Sequence, residues 1–241
     1  MALRRVEVEG KVFDISYDIL NPSNKKDIVF LHGWGSNKEI MKNAFKDSFK
    51  DFRHIYVDMP GFGKSSNDYV LTTKEYAKIV DKFLSEIKAD KYIIIGHSFG
   101  GKVATLLKPQ ILVLLASAGI VMPKKFSVKL KIKLFKLLKK LGLSKFRSLF
   151  VSEDVKGMSE NMYKTFKNVV DEDFREIFRN YRGKVIIFGA NNDTAVPPKA
   201  VEIQSKLLNS ENIMLSGEHY FFLKKENKKQ IEKKILKYLG D

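Results

Sequence analysis

The chain has 241 residues, of which 44% are hydrophobic, so it is long enough to form one large hydrophobic core. It contains no cysteine, which excludes disulfides, a thiolate nucleophile and a cysteine-ligated metal. The formal net charge is +16, but no RNA-binding signature and no basic motif interleaved with aromatic residues accompanies this charge. We therefore expect no specific nucleic-acid partner, no metal and no cofactor, and we attribute most of the lysine excess to general composition.

The N-terminal residues lack the apolar stretch of a secretory signal. No later apolar run approaches the ~18 residues that a membrane span requires. The sequence therefore predicts a cytoplasmic protein without a transmembrane segment.

Short apolar runs alternate with segments of helical periodicity along most of the chain. Residues 6–19 alternate in character around Gly10 and predict an antiparallel hairpin. Buried strands are predicted at 28–31, 55–57, 92–95, 111–115 and 185–188. Helices are predicted near 38–46, 73–88, 101–107, 199–208 and 228–239. This alternation predicts an α/β fold with a doubly wound, mostly parallel sheet.

The residues between Leu115 and Lys184 interrupt this alternation. Within residues 124–147, apolar side chains fall on a broad arc at helical spacing with lysines opposite, although the alternation over 128–134 also permits a strand. We expect a single α/β core formed by residues 1–119 and 183–241. A helical cap, or lid, would be inserted at residues 120–182.

Ser98 is the candidate nucleophile. It lies in Gly96-His97-Ser98-Phe99-Gly100, directly after a predicted strand and before a predicted helix. A strand-to-helix turn this tight leaves no room for side chains two residues before and after the serine, and it exposes the serine hydroxyl. This context favours a catalytic serine over an ordinary turn.

A serine hydroxyl requires a base to accept its proton and a carboxylate to orient that base. The chain has four histidines. His32 directly follows a strand, His54 opens a strand and His97 adjoins the serine. His219 follows the apolar run of residues 213–215 and a turn, and it precedes the last predicted helix. In the chain order serine, acid, histidine, this is the expected position of the base. We predict His219 as the base.

Asp193 is the candidate for the orienting acid. It stands just beyond the strand at 185–188, and the functional groups of open α/β sheets collect past the carboxyl ends of the strands. Asp58 is the main rival, because it also ends a strand, although it precedes the serine in the chain. An aspartate in such a loop could also merely cap a turn.

Two backbone N–H groups are candidates for the oxyanion hole. Phe99 follows the nucleophile and opens its helix, and Trp34 lies between two glycines in the loop after the strand at 28–31. We expect the side chains of Trp34 and Phe99 to contribute to the substrate pocket.

These motifs, in this order, resemble the α/β-hydrolase superfamily over nearly the whole chain outside residues 120–182. The resemblance implies an α/β-hydrolase fold with a Ser98, His219 and Asp193 triad. It implies a serine esterase, that is, a hydrolase that cleaves a carboxylic ester or thioester through an acyl-enzyme intermediate. The substrate would be a small-molecule or acyl ester. A carboxylate at Glu218, beside the base, departs from the usual small residue.

Residues 31–35 and 57–65 are also similar to the carboxylesterases that cleave pimeloyl-acyl-carrier-protein methyl ester. This similarity suggests an acidic acyl carrier protein as partner, docking on a basic cap that begins near Lys124. Two alternatives remain. One is a C–C bond hydrolase of a vinylogous diketone, which uses the same triad. The other is membrane association through the basic amphipathic stretch of residues 124–147.

Overall fold

A computed structural model of the protein describes residues 1–123 and 158–240. Its strands are β1 (Ala2–Val8), β2 (Lys11–Leu20), β3 (Asp27–Leu31), β4 (Arg53–Val57), β5 (Ile93–His97), β6 (Ile111–Leu115), β7 (Lys184–Ala190) and β8 (Asn212–Leu215). Its α-helices are α1 (Lys38–Phe45), α2 (Thr73–Glu86), α3 (Phe99–Leu107), α4 (Glu160–Val169), α5 (Arg175–Asn180), α6 (Pro198–Leu208) and α7 (Lys225–Gly240), and a 3₁₀ turn spans Phe221–Leu223.

The eight strands form one sheet in the order β1-β2-β4-β3-β5-β6-β7-β8. The predicted N-terminal hairpin is confirmed: β1 pairs antiparallel with β2, and Glu9 and Gly10 turn the chain with φ of 52° and 75°. β2 is antiparallel to β4, and all later pairings are parallel. The predicted mostly parallel sheet is therefore confirmed.

The central strands are apolar throughout because helices cover both faces of the sheet. Every residue of β3, β5 and β6 is buried. The predicted strands and helices of the core are all present with small shifts at their ends. The helix or strand predicted within residues 124–147 lies outside the described residues. Of the expected cap, the described part contains α4 and α5, which were not predicted individually.

The carboxyl ends of the parallel strands meet at one edge of the sheet. His32 follows β3, Asp58 follows β4, Ser98 follows β5, and Asp193 lies shortly after β7. The fold therefore gathers at this edge the polar residues that the sequence singled out. In the parts of the chain that the structure describes, no helix has the length and hydropathy needed to cross a membrane.

Candidate active site

Ser98 stands at the turn between β5 and α3 with φ of 51° and ψ of −114°. A non-glycine residue with positive φ is strained, and such strain is typical of a nucleophile elbow. The flanking glycines allow the close approach that this turn requires. A Cβ at Gly100 would lie 2.5 Å from the carbonyl oxygen of His32, and one at Gly96 would lie 2.5 Å from that of Gly100. The sequence therefore has glycine where the backbones nearly touch.

Asp193 and His219, distant in sequence, form a hydrogen bond of 2.7 Å between the His219 Nδ1 and the Asp193 Oδ2. The other carboxylate oxygen of Asp193 accepts the N–H groups of Ala195 at 2.8 Å and Val196 at 2.9 Å. The Asp193 side chain is fully buried, whereas that of His219 is 20% exposed. Because an ionised carboxylate only accepts hydrogen bonds, the Nδ1 of His219 is the donor, and its Nε2 is left to accept a proton.

His97 connects the nucleophile turn to the His219 loop. Its ring centroid lies 4.6 Å from that of His219, and its Nε2 donates to the His219 carbonyl oxygen at 3.1 Å. Burial lowers the pKa of His97 well below its ordinary value, so the ring stays neutral. This contact was not predicted, because the position of His97 beside Ser98 was the only signal available in the sequence.

Asp58, the rival acid, has a different partner. Its carboxylate accepts the ammonium of Lys38 at 2.9 Å and the backbone N–H of Lys38 at 2.7 Å, and a third donor is the N–H of Lys64 at 3.1 Å. Both side chains of this ion pair are buried. The structure thus ties Asp58 to the start of α1, and it is Asp193 that contacts His219.

The two candidate oxyanion residues, Trp34 and Phe99, lie in the two segments that meet at Ser98. Phe99 is the first residue of α3, so its N–H has no acceptor within the helix. Trp34 follows Gly33, where a Cβ would lie 3.2 Å from the Cβ of Ser98. The rings of Trp34 and Phe99 are in edge contact at 5.5 Å between centroids. The loop after β3 therefore runs directly beside the nucleophile turn.

Trp34 is the centre of an aromatic cluster. Besides Phe99, its ring contacts Phe62 at 4.8 Å and Phe166 at 5.4 Å between centroids. Phe166 belongs to α4, so the chain between β6 and β7 contributes to this wall. Apolar rings at this position favour an apolar substituent on a substrate.

A cavity of about 530 Å³ lies beside the buried Asp193. Its walls are mostly aliphatic and include Ile120, Val196 and Val170. It borders Ala118, whose N–H donates to the carbonyl oxygen of Ser98 at 3.0 Å. The cavity is therefore next to the nucleophile turn and has the size of a small-ligand site.

Comparison with known proteins agrees with this architecture. The model of a family described as having the α/β-hydrolase fold matches residues 27–110. A pimeloyl-[acyl-carrier protein] methyl ester esterase from Edwardsiella ictaluri is 35% identical over 91 residues, which cover 36% of this chain and 34% of that protein. The esterase of the same name from Wigglesworthia glossinidia brevipalpis is 28% identical over 240 residues, covering 83% of this chain and 89% of that protein. The match to the first of these relatives thus spans about a third of its length.

Among solved structures, an esterase from Exiguobacterium antarcticum superposes with a TM-score of 0.72 at 18% identity, covering 95% of this chain and 96% of that one. At this identity the likeness establishes the fold alone. Together with the sheet order, the turn at Ser98 and the matched family model, it shows that the chain has an α/β-hydrolase fold.

Proposed function

We propose that the protein is a serine hydrolase that cleaves a carboxylic ester or thioester through an acyl-enzyme intermediate. The observation that carries the proposal is the strained Ser98 at the strand-to-helix turn, with φ of 51°. The hydrogen bond of 2.7 Å between His219 and Asp193 at the same edge of the sheet supports it. The relatives named as esterases support the ester as substrate class.

In the proposed mechanism, the Oγ of Ser98 attacks the ester carbonyl carbon while the Nε2 of His219 accepts the hydroxyl proton. Asp193 holds the imidazole in the required tautomer and stabilises the imidazolium that forms. The N–H groups of Trp34 and Phe99 donate to the oxyanion of the tetrahedral intermediate.

The intermediate then collapses with cleavage of the bond between the carbonyl carbon and the leaving group, and the leaving alkoxide, or thiolate in a thioester, takes the proton from His219. Water attacks the resulting acyl-enzyme with His219 again as base, which releases the acid and restores Ser98.

We also propose that residues 120–182 form a cap over the site. In support, α4 lies between β6 and β7 in the chain and places Phe166 against Trp34. A cap in this position would separate the site from bulk solvent and shape the pocket.

Reaction with a fluorophosphonate probe tests the nucleophile. We expect the probe to label the wild type and the control variant Ser85→Ala, whose serine is exposed on α2. Ser98→Ala should not be labelled, because the attacking hydroxyl is gone. Equal labelling of Ser98→Ala and wild type would refute the assignment.

We propose, more specifically, that the substrate is a methyl ester carried on an acyl carrier protein. It is supported by the relatives named as pimeloyl-[acyl-carrier protein] methyl ester esterases and by the net charge of +16, which suits an acidic carrier protein. The lysines near Lys124 that suggested a basic cap lie outside the described residues. Turnover of the carrier-linked ester should exceed that of a short nitrophenyl ester, and it should fall as salt is added. Turnover no faster than that of the short ester would overturn this substrate.

A further inference from the structure

Lys102 is a buried cation on the helix that carries the nucleophile turn. The side chain is 1% exposed, although the neighbouring residues of α3 are apolar or glycine. Its ammonium donates to the Val169 carbonyl oxygen at 2.6 Å and to the Glu172 carboxylate at 2.9 Å. The same carboxylate oxygen accepts the hydroxyl of Thr73 at the start of α2.

Aromatic rings complete the surroundings of this ammonium. It lies 4.9 Å from the ring centroid of Phe174 and 5.9 Å from that of Phe99. An ammonium in such a place is stable only while its partners remain, because an uncompensated buried charge is costly. Movement of Val169 and Glu172 away from α3 would therefore be opposed by the charge of Lys102.

Those two partners belong to the segment of residues 158–180, which forms part of both candidate pocket walls. Phe166 contacts Trp34 in the aromatic cluster. Val170 and Glu172 line the cavity beside Asp193. Lys102 thus links the helix that begins at Phe99 to the segment that contributes to both candidate pocket walls.

We propose that Lys102 is a positioning residue that holds the 158–180 segment against the nucleophile helix and so determines how well a large apolar acyl group is bound. The dependence on substrate size rests on the proposed ester hydrolysis. The positioning itself does not.

Other hydrogen bonds also hold the segment in place. The Leu71 N–H donates to the Thr165 hydroxyl at 3.0 Å, and the Asn168 amide donates to the Leu71 carbonyl oxygen at 3.2 Å. Both bonds join α4 to the loop before α2. Loss of Lys102 should consequently loosen the segment at α3 without detaching it.

The substitution Lys102→Met tests this link, because it removes the charge and retains most of the side-chain volume. Arg53→Met is the matched control. Arg53 pairs with the buried Asp27 at 2.6 Å, where β3 and β4 begin, at the opposite end of the strands from Ser98. Both variants are compared with wild type below the unfolding temperature of each.

Fluorescence of Trp34, the single tryptophan of the chain, gives a readout that is independent of activity. Because Phe166 covers its ring, we expect Lys102→Met to raise the acrylamide quenching constant about twofold, with Arg53→Met unchanged. Unchanged quenching in Lys102→Met, or an equal rise in Arg53→Met, would overturn the positioning role.

Hydrolysis of an octanoyl and an acetyl nitrophenyl ester tests the substrate dependence. In Lys102→Met, the kcat/KM ratio of octanoyl to acetyl ester should fall about tenfold, mainly through KM of the octanoyl ester. An unchanged ratio would overturn this part of the proposal. Absence of hydrolysis in wild type would instead refute the proposed function and leave the quenching result valid.

A substitution of the partner carboxylate covers the case in which Lys102→Met does not fold. Glu172→Gln keeps a hydrogen-bond acceptor for Lys102 and Thr73 but removes the negative charge. It should change quenching and the ester ratio in the same direction by a smaller factor. A folded Glu172→Gln with wild-type quenching and a wild-type ratio would count against the proposal.

Discussion

Asp58 and Asp193 are two buried aspartates at the same edge of the sheet with different partners. Both are at most 3% exposed, and both follow a strand of the parallel sheet. The carboxylate of Asp58 is neutralised by the buried ammonium of Lys38, whereas that of Asp193 binds the imidazole of His219. A fixed cation makes the first pair part of the scaffold. A titratable partner makes the second pair suitable for proton transfer.

The largest effect should come from Asp193→Asn, which tests the catalytic half of this comparison. The asparagine amide carries no negative charge. It therefore no longer holds the His219 imidazole with its proton on Nδ1, and it no longer stabilises the imidazolium that forms during the reaction. We expect kcat/KM for a nitrophenyl ester to fall about 10³- to 10⁴-fold while thermal unfolding changes little. Steady-state kinetics and a thermal scan of the same preparation measure both quantities.

Asp58→Asn is the matched variant for that experiment. If it lowered kcat/KM as much as Asp193→Asn without loss of stability, the assignment of the two aspartates would be reversed.

Asp58→Ala tests the structural half of the comparison. It leaves the buried ammonium of Lys38 with Ser16 as its remaining side-chain hydrogen-bond partner and with only the exposed Glu39 carboxylate, 3.9 Å away, as counter-charge. It also removes the acceptor of two backbone N–H groups. Removing one member of a buried ion pair costs about 3–5 kcal/mol of the free energy of unfolding. Urea unfolding measures this loss, which should exceed any loss in Asp193→Asn.

The double variant Lys38→Met, Asp58→Leu gives the control. It should regain much of the lost stability, since an apolar pair of similar volume replaces the uncompensated charge. A double variant no more stable than Asp58→Ala would show that the hydrogen bonds to backbone N–H groups, rather than the ion pair, carry the effect.

Local pattern was sufficient to predict most of the fold. The strands around Ile94 and Val113 are continuous apolar runs because they are covered on both faces. Such short runs are easily distinguished from the helices, in which apolar residues recur every three or four positions. The glycines around Ser98 were equally informative, because they are required by close backbone contacts within a few residues.

Contacts between distant segments could not be predicted in the same way. Chain order favoured Asp193 over Asp58, but only the structure shows that the partner of Asp58 is Lys38. Lys102 gave a weak signal, a single charge within an apolar helix, but its partner Glu172 is 70 residues away. Pairing at this range depends on how α4 and the following turn pack, which no local periodicity encodes.

The smallest effect predicted around these two aspartates concerns pH and the buried histidine beside the Asp58 loop. The ring of His32 hydrogen-bonds the Gly33 carbonyl oxygen through Nδ1 at 2.7 Å and accepts the Met59 N–H through Nε2 at 3.1 Å. Burial lowers the pKa of His32 from 6.5 to about 4. Between these two values the unfolded chain binds a proton that the folded protein does not, so stability falls as pH falls.

The contribution of His32 to this loss is about 2 kcal/mol between pH 7.5 and pH 5 and about 3 kcal/mol in full. The pKa of Asp58 in the folded protein is also lowered from its ordinary value of 3.8. The stability that the Asp58 carboxylate contributes is therefore lost only at lower pH than the contribution of His32.

His32→Asn tests this effect, because its amide can both donate and accept a hydrogen bond but does not titrate. The free energy of unfolding of this variant should depend less on pH between 6.5 and 4.5 than that of the wild type. The difference in slope should correspond to about one proton bound on unfolding. Urea unfolding at a series of pH values measures the slope. Parallel curves for variant and wild type would mean that His32 is protonated in the folded protein, and its hydrogen bond from Met59 would then have to break on acidification.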